Sequence, residues 1–444
     1  MLNYKNIQPF LCYIYFTSYL FALEPFNHNR FIRNSYLDGN NYGVGITDDY
    51  FSQYSQFDNF NSLSLFISGT AFNNQPLYKS SLIIRGRFAS FSFSINPILL
   101  NEEYGNLILG SDYKRSNIAI GFENSFMQYE NGDYKIKFGR SPIWWGESAT
   151  SSIIQSGISP SFDNLLISIN KFNFKYALFS GQLNSIQNKN DQIENDLRIK
   201  RLISGHRLLW YPNENLSLGV GEQIIYTGHN RSVEMAYLNP FTPYFLVGLD
   251  NNENEPNLSG TGDNDNPILF LHGRYTFNKK ISMYTEFIID DYQIDNTIRD
   301  NQLGFKIGFD GRNKFLNNYY KWIAEWTKID QWTYLHQGQY TNWLHKSHPI
   351  GYLFGPNSEN FQFQFLYTTK NDLSIFFNID YLIKGPISLH SDWDNNNMNK
   401  DSKYNNQIIN RLSVRKNFNG LSFEFGMTTN IIKNDFIILD IDMI

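Results

Sequence analysis

The sequence predicts an all-β fold, a transmembrane antiparallel β-barrel of about 16 to 18 strands. First, the segment from Phe361 to Tyr367 carries an aromatic ring at every second position, with Gln362 and Gln364 between the rings, which is the period of a β-strand. Second, aromatic residues make up 17% of the chain, yet its mean hydropathy is only −0.41. Third, no run of about 18 apolar residues follows the N-terminus, which excludes helical membrane spans and leaves a barrel allowed.

The N-terminus predicts an export signal over residues 1–22. Lys5 supplies the positive charge, a mostly apolar stretch follows it, and Ala22 is a small residue suited to cleavage. We expect residues 23–60 to form a periplasmic segment of undetermined structure. The barrel is then expected over residues 61–444.

Charge and cysteine content exclude several other classes of protein. The net charge is −5 with no compact basic patch, which argues against nucleic-acid binding. Cys12 is the only cysteine, and cleavage of the signal would remove it. No disulfide framework or thiolate metal site is then available, and we expect neither a bound metal nor a cofactor.

The alternating strands have one aromatic face and one polar face. Tyr134, Ile136 and Phe138 lie opposite Lys135 and Lys137. A lysine facing the middle of the bilayer would cost roughly 2–4 kcal/mol, so we expect the rings outside and the lysines inside. The same alternation occurs over residues 172–178, 281–289 and 421–427.

Short and long connections separate these strands. Tight turns are predicted at residues 213–215, 278–280, 370–372 and 417–420. Long polar segments are predicted to be extracellular loops, at residues 141–162, 184–196, 228–267, 328–359 and 385–405. No repeat of fixed period occurs, which argues against a soluble β-propeller or an array of sandwiches.

The densest unusual cluster contains Arg140, Trp144 and Trp145 at a strand end. The indole rings can stack on sugar rings, and the guanidinium can donate hydrogen bonds to sugar hydroxyls or to the carboxylates of acidic sugars. The alternative is an aromatic girdle at the membrane interface beside a packed loop. The residues alone leave both readings open.

A later loop combines histidines with aromatic residues. His336, His345 and His348 share it with Trp332 and Tyr334. Sugar contact, zinc binding and ordinary loop packing are the alternatives. No carboxylate has a diagnostic spacing to the histidines, which disfavours zinc.

Two clusters of acidic residues are candidates for a calcium site and for a hydrolase site. Residues 250–266 are rich in Asp, Glu and Asn, and either bind calcium or form a solvated loop; their spacing is not that of an EF-hand. Glu286, Asp290 and Asp291 could suggest glycoside hydrolysis. However, adjacent strand residues point to opposite faces, and Glu286 and Asp290 would stand about 13 Å apart. Hydrolysis is therefore disfavoured.

Over residues 110–370, a series of motifs resembles the Wzi family of capsule-assembly proteins. In order, they are Gly139-Arg140, Pro142, Trp145-Gly146, Ser151-Ser152, Ser159-Pro160, His206-Arg207-Leu208, Gly221-Glu222, Tyr226, Gly228, Tyr237-Leu238-Asn239-Pro240, Tyr284 to Asp291, Glu325-Trp326-Thr327, Trp332-Thr333-Tyr334, His336, Pro349-Ile350-Gly351 and Gly355-Pro356-Asn357-Ser358. One departure follows Trp145-Gly146, where the family usually has Pro-Gly and this chain has Glu147-Ser148.

The resemblance implies an outer-membrane barrel of about eighteen strands whose loops are exposed at the cell surface. It implies a lectin that attaches capsular or other extracellular polysaccharide to the cell and has no enzymatic activity. The expected partners are that polysaccharide and outer-membrane lipid. The candidate sugar contacts are Arg140, Trp144, Trp145, Arg231, Trp332, Tyr334 and His336. The alternatives are a porin-like diffusion channel and, less favoured, a barrel-embedded hydrolase.

Overall fold

Long alternating segments become long strands in the computed structural model. The structure describes residues 13–20, 62–72, 75–101, 114–115, 118–148, 150–187, 198–228, 231–247, 265–278, 280–291, 301–315, 318–336, 339–371, 373–391, 404–418, 421–432 and 437–443. The strands are β1 Tyr13–Leu20, β2 Ser62–Phe72, β3 Gln75–Phe88, β4 Phe91–Asn101, β5 Lys114–Arg115, β6 Ile118–Asn131, β7 Tyr134–Ser141, β8 Trp144–Trp145, β9 Gln155–Ser156, β10 Phe162–Lys171, β11 Phe174–Gln182, β12 Ile186–Gln187, β13 Arg198–Asn213, β14 Leu216–Gly228, β15 Asp265–Thr276, β16 Ile281–Asp291, β17 Gln302–Phe315, β18 Asn318–Ile329, β19 Leu344–His345, β20 His348–Pro349, β21 Ser358–Thr368, β22 Leu373–Lys384, β23 Asn405–Phe418, β24 Leu421–Ile432 and β25 Ile437–Met443.

Within the described residues, eighteen strands form one continuous series, each antiparallel to the next. They are β2, β3, β4, β6, β7, β10, β11, β13, β14, β15, β16, β17, β18, β21, β22, β23, β24 and β25. Strand β1 pairs with β2 in parallel and lies near β24 and β25, so the two ends of the series approach each other there. Architecture and strand number confirm the predicted fold class.

The predicted division of faces is present along the strands. On β21, Phe361 and Phe363 are exposed while Gln362 and Gln364 are buried. On β7, Phe138 is 65% exposed and Lys137 is buried. On these two strands the rings lie on the outer wall and the polar groups face the interior, as a barrel in lipid requires.

The two kinds of connection lie at opposite ends of the strands. Tight turns join β13 to β14, β15 to β16, β21 to β22 and β23 to β24, where they were predicted. At the turn before β16, the Asn278 side chain accepts a hydrogen bond from the Ile281 N–H at 3.1 Å, the local bond that favours asparagine in turns. All the long segments leave from the other end, which we call the loop end.

The N-terminal predictions stay predictions. Strand β1 lies within the predicted signal sequence, and cleavage after Ala22 would remove it. Residues 23–60 fall outside the described residues.

Among the described residues, no helix is both long enough and apolar enough to cross a membrane.

Two long connections fold into the barrel. We call residues 142–161 the first inner loop and residues 330–357 the second inner loop. They share one hydrophobic core with inward side chains of β10, β11, β13, β14, β15, β16 and β18. The sequence suggested polar external loops here, but most of these residues are buried, because their aromatic and aliphatic side chains lose more water-exposed area inside the barrel.

Candidate functional site

Glu286 of β16 holds the first inner loop inside the barrel. Its side chain is fully buried and accepts four hydrogen bonds. The backbone N–H groups of Glu147, Ser148 and Ile153 donate at 2.6, 2.6 and 2.8 Å, and the Ser152 hydroxyl donates at 2.9 Å. Both carboxylate oxygens are therefore occupied by one short stretch of loop, which wraps around the strand-borne group.

A second buried carboxylate, Glu325 of β18, grips the same loop. It accepts hydrogen bonds from the Ser148 hydroxyl at 2.6 Å and from the Thr150 hydroxyl. From the barrel wall, Lys306 donates at 2.9 Å and the Tyr284 hydroxyl at 2.5 Å. A buried ion pair is tolerable when further hydrogen bonds satisfy its remaining polar atoms, and here the loop supplies them.

The loop contributes its own charge through Glu147. Arg274 of β15 donates to the Glu147 carboxylate at 3.0 Å and to its backbone carbonyl at 2.8 Å, and it also reaches Asp310 at 2.6 Å. His272 lies 3.0 Å from the other Glu147 oxygen. Burial disfavours the charged carboxylate, but the bond and charge of His272, together with Arg274, outweigh it and lower the pKa of Glu147 below its ordinary value.

Gly146 allows the loop to approach Glu286 this closely. Its φ is +115° and a Cβ at this position would collide with the Ser152 and Glu286 side chains. Only glycine adopts such a backbone without strain. The Trp-Gly pair singled out in the sequence therefore has a structural explanation.

The second inner loop is tied to the first. The Tyr334 N–H donates to Asp290 at 2.6 Å and its hydroxyl donates to the Ile153 carbonyl. The Ser156 N–H donates to the Ile350 carbonyl at 2.9 Å, and Leu353 N–H donates to the Ser151 hydroxyl at 3.0 Å. The two loops thus form one hydrogen-bonded body.

Three of the predicted sugar contacts lie in the interior. Trp145 is 1% exposed, with its ring edge-on to Phe179 at 4.9 Å and the Arg207 guanidinium 4.9 Å from its centre. Trp332 and Tyr334 are also buried. These rings pack the inner loops and present no free stacking face at the surface.

The two predicted arginines lie apart on the outer wall. Arg140 points outward from β7, beside Phe138, and pairs with Asp163 at 2.7 Å. Arg231 follows β14 and pairs with Glu234 at 2.6 Å and with Asp265. Their positions on the strands do not bring them to one binding surface.

Trp144 and His336 are the predicted contacts on the inner loops that remain half-buried. Tyr340 and Lys346 lie in the second inner loop and are partly exposed. Tyr340 belongs to the aromatic residues of the predicted histidine loop, whereas the sequence did not single out Lys346. These four side chains are the candidate sugar-facing groups of the inner loops.

The histidines and carboxylates behind the metal and hydrolase alternatives have the following surroundings. His345 and His348 face each other in the β19–β20 hairpin, and no group of three or more His, Cys, Asp or Glu side chains in the described ranges could hold a metal ion. Burial first, and then nearby cations, lower the pKa of His345 well below its ordinary value. Glu286 is saturated by the loop, and Asp290 accepts a bond from Tyr334. Of residues 250–266, only 265 and 266 are described.

The model of the family described as Capsule assembly protein Wzi matches residues 50–435. The chain belongs to the Wzi family. No curated protein matches the sequence. The Escherichia coli Wzi structure, described as a carbohydrate-binding outer-membrane β-barrel involved in group 1 capsule assembly, is 12% identical, covers 82% of this chain and 77% of its own, and has a TM-score of 0.58. Pseudomonas aeruginosa OccK3 is 10% identical over 83% of this chain and 88% of its own, with a TM-score of 0.43.

The departure from the usual Wzi pattern at residues 147–148 changes how the first inner loop is held. A proline at position 147 could not donate a backbone hydrogen bond, whereas Glu147 donates to Glu286 and also pairs with Arg274. In this Wzi family member, both the main chain and the side chain of Glu147 fasten the loop.

Proposed function

We propose that this protein is a surface-exposed outer-membrane lectin that anchors capsular or related extracellular polysaccharide without transforming it. Family membership supports the substrate class, as does the description of the similar E. coli barrel as carbohydrate-binding. The observation that carries the proposal is the clamped pair of inner loops. They form a preorganised body at the loop end, and preorganisation lowers the entropic cost of holding a ligand.

The same observation argues against the diffusion channel. The inner loops occupy the interior with bulky side chains such as Trp145 and Trp343. They are fastened by buried carboxylates rather than resting on the wall. A solute path through this part of the barrel would require those bonds to break.

A catalytic role is also disfavoured by the chemistry of the interior carboxylates. Glu286 and Glu325 would need a free oxygen near a scissile bond to act as base or nucleophile. In this structure their oxygens accept hydrogen bonds from the first inner loop and, for Glu325, from Lys306. These carboxylates therefore serve to hold the loop rather than to act on a substrate.

Among the candidates, we assign direct sugar contact to the half-buried Trp144 and His336, with Arg140 as a contact at the rim. Trp145, Trp332 and Tyr334 act by holding the loops. The sequence predicted these buried rings as sugar contacts. They are assigned a packing role instead, since a ring without a free face cannot stack on a sugar.

The test is capsule retention by cells in which the gene is replaced by variants. Trp144→Ala should shift polysaccharide from cells to medium while the barrel keeps its thermal stability. The matched control is Trp210→Ala, which removes an exposed tryptophan from the outer wall near the tight-turn end. Retention unchanged after deletion of the whole gene would contradict the function. Normal retention with Trp144→Ala and His336→Ala together would contradict the site alone.

A further inference from the structure

Polar side chains interrupt the lipid-facing wall on β11, β13 and β14. Outward residues on neighbouring strands pair in register and form rows across the wall. One row runs through Phe138, Leu165, Ser180, Ser204, Ile224 and Pro267, and the next runs through Ile136, Ile167, Leu178, His206, Glu222 and Leu269. The serines, His206 and Glu222 form a polar patch within rows that are otherwise apolar.

A segment of the loop after β14 covers this patch from outside. We call residues 231–247 the strap. Its Tyr237, Tyr244 and Val247 form a hydrophobic cluster with wall residues Leu202, Ile224 and Tyr226, a cluster separate from the core of the inner loops. Unlike the inner loops, the strap therefore folds back over the outer surface of the barrel.

Direct contacts join the strap to the polar patch. The Tyr244 N–H donates to the Glu222 carboxylate at 2.5 Å, and the Tyr244 ring lies 4.5 Å from the His206 ring. The Ser204 hydroxyl donates to Ser180 at 3.0 Å. These contacts satisfy or shield groups that would be costly to expose to hydrocarbon.

Arg231 fastens the other end of the strap at the rim. Its guanidinium pairs with Asp265 and with Glu234, and lies 5.1 Å from the centre of the Tyr226 ring. The Tyr237 hydroxyl also donates to Asp265, at 2.5 Å. Arg231 and Glu234 are the only charged residues in the strap, and they pair with each other.

The surface that the strap turns away from the barrel is mostly apolar, and Ser232 and Asn239 are its exposed polar residues. Its exposed large side chains are Val233, Met235, Phe241, Phe245 and Leu246. Phe241 is 90% exposed. Such a patch would be unfavourable in water, yet it adjoins wall residues, such as Leu269, that face lipid.

The position along the strand sets the depth of the strap. Glu222 lies six residues from Gly228, the loop end of β14. At about 3.3 Å per residue and a tilt near 40°, this is roughly 15 Å below the rim, within an apolar band about 25 Å tall. The Tyr244–Glu222 contact therefore lies at the level of the hydrocarbon.

We propose that the strap is a membrane-inserted element whose outward side chains contact lipid acyl chains in the leaflet at the loop end. Its inner side supplies the polar patch with protein partners, and its outer side restores an apolar surface. Lipid is the occupant because the strap lies over the rows of outward residues that already face the bilayer. This role is independent of polysaccharide binding.

Spin labelling in phosphatidylcholine vesicles tests the proposal. In a Cys12→Ser background each introduced cysteine is unique, and Phe241→Cys and Phe245→Cys place nitroxides on the strap. Phe138→Cys is the lipid-facing reference and Ser347→Cys, in the exposed β19–β20 turn, is the aqueous reference. Accessibility is measured to oxygen, which concentrates in lipid, and to a water-soluble nickel chelate.

Both strap labels should resemble Phe138→Cys, with oxygen accessibility exceeding nickel accessibility. Nickel accessibility equal to that at Ser347→Cys would overturn the proposal. Dipolar broadening between labels on separate molecules would also overturn it, by showing that a second copy of the chain covers the strap. Because both positions are exposed, neither label disturbs the packed core, and two positions guard against loss of one variant.

Discussion

Replacing Glu286 by alanine is expected to release the first inner loop while leaving the barrel wall intact. The substitution removes the acceptor for three buried backbone N–H groups, those of Glu147, Ser148 and Ile153, and for the Ser152 hydroxyl. The strand itself keeps its ladder, because the backbone pairing of β16 with β15 and β17 does not involve the side chain.

The magnitude follows from the number of donors left without a partner. Each orphaned buried donor costs about 1–3 kcal/mol, and the lower figure applies where water enters the released space. Four donors then give about 4 kcal/mol. Because 1.4 kcal/mol corresponds to a factor of ten, the local opening equilibrium shifts about 10³-fold.

Hydrogen exchange read by mass spectrometry, with the protein in detergent micelles, measures this opening directly. Amides in peptides spanning residues 146–154 should exchange about 10³-fold faster in Glu286→Ala, while amides of β16 keep their protection. The control is Thr285→Ala, the outward neighbour on the same strand, which loses a hydrogen bond to the Lys306 carbonyl without touching the loop. Unchanged protection of residues 146–154, or equal loss of protection throughout the barrel, would refute the reasoning.

Three further outcomes are expected. Gly146→Ala should lower the thermal stability of the barrel strongly, because the new Cβ collides with Glu286 and Ser152. The control is Gly132→Ala, which is also at positive φ but has nothing within 4 Å and should cost only about 1 kcal/mol of backbone strain. Equal losses of thermal stability in the two variants would contradict this prediction. Trp145→Ala should reduce the free energy of unfolding by about 3–5 kcal/mol, measured by denaturant titration in detergent; a loss below 1 kcal/mol would contradict its packing role. Since its folded pKa is lowered, Glu147 stabilises the fold above the ordinary carboxyl pKa of 4.5 and loses this effect as pH falls through the folded value. The stability gap between wild type and Glu147→Gln should therefore be constant above about pH 6 and narrow in acid, and a gap that widens in acid would oppose this assignment.

The sequence predicted some parts of the site and could not predict others. It singled out Trp145-Gly146 correctly as an unusual pair, since such residues at a strand end are visible locally. It also drew attention to Glu286, but as a candidate catalytic group, because nothing nearby revealed its partners. The Glu147 N–H that it binds lies 139 residues away along the chain.

Arg231 is a second residue whose partner the sequence could not reveal. Its charge and its place in a long loop suggested sugar binding, whereas the structure pairs it with Asp265, 34 residues later. The sequence after Arg231 does contain a local indication of this different role. The residues after it alternate little and include Met235, Phe241 and Phe245 with few charges, a composition more suited to an apolar surface than to a hydrated loop.

The sequence by itself determined the barrel, the outward direction of the aromatic faces on strands such as β7 and β21, and the places of four tight turns. These features depend on a period of two residues and on local turn chemistry, and the bilayer imposes the same demand on every strand. Tertiary structure alone decided that the two inner loops fold into the interior while the strap folds over the outer wall. That choice depends on which buried carboxylates and apolar surfaces each loop meets, and those partners lie on strands distant in the chain.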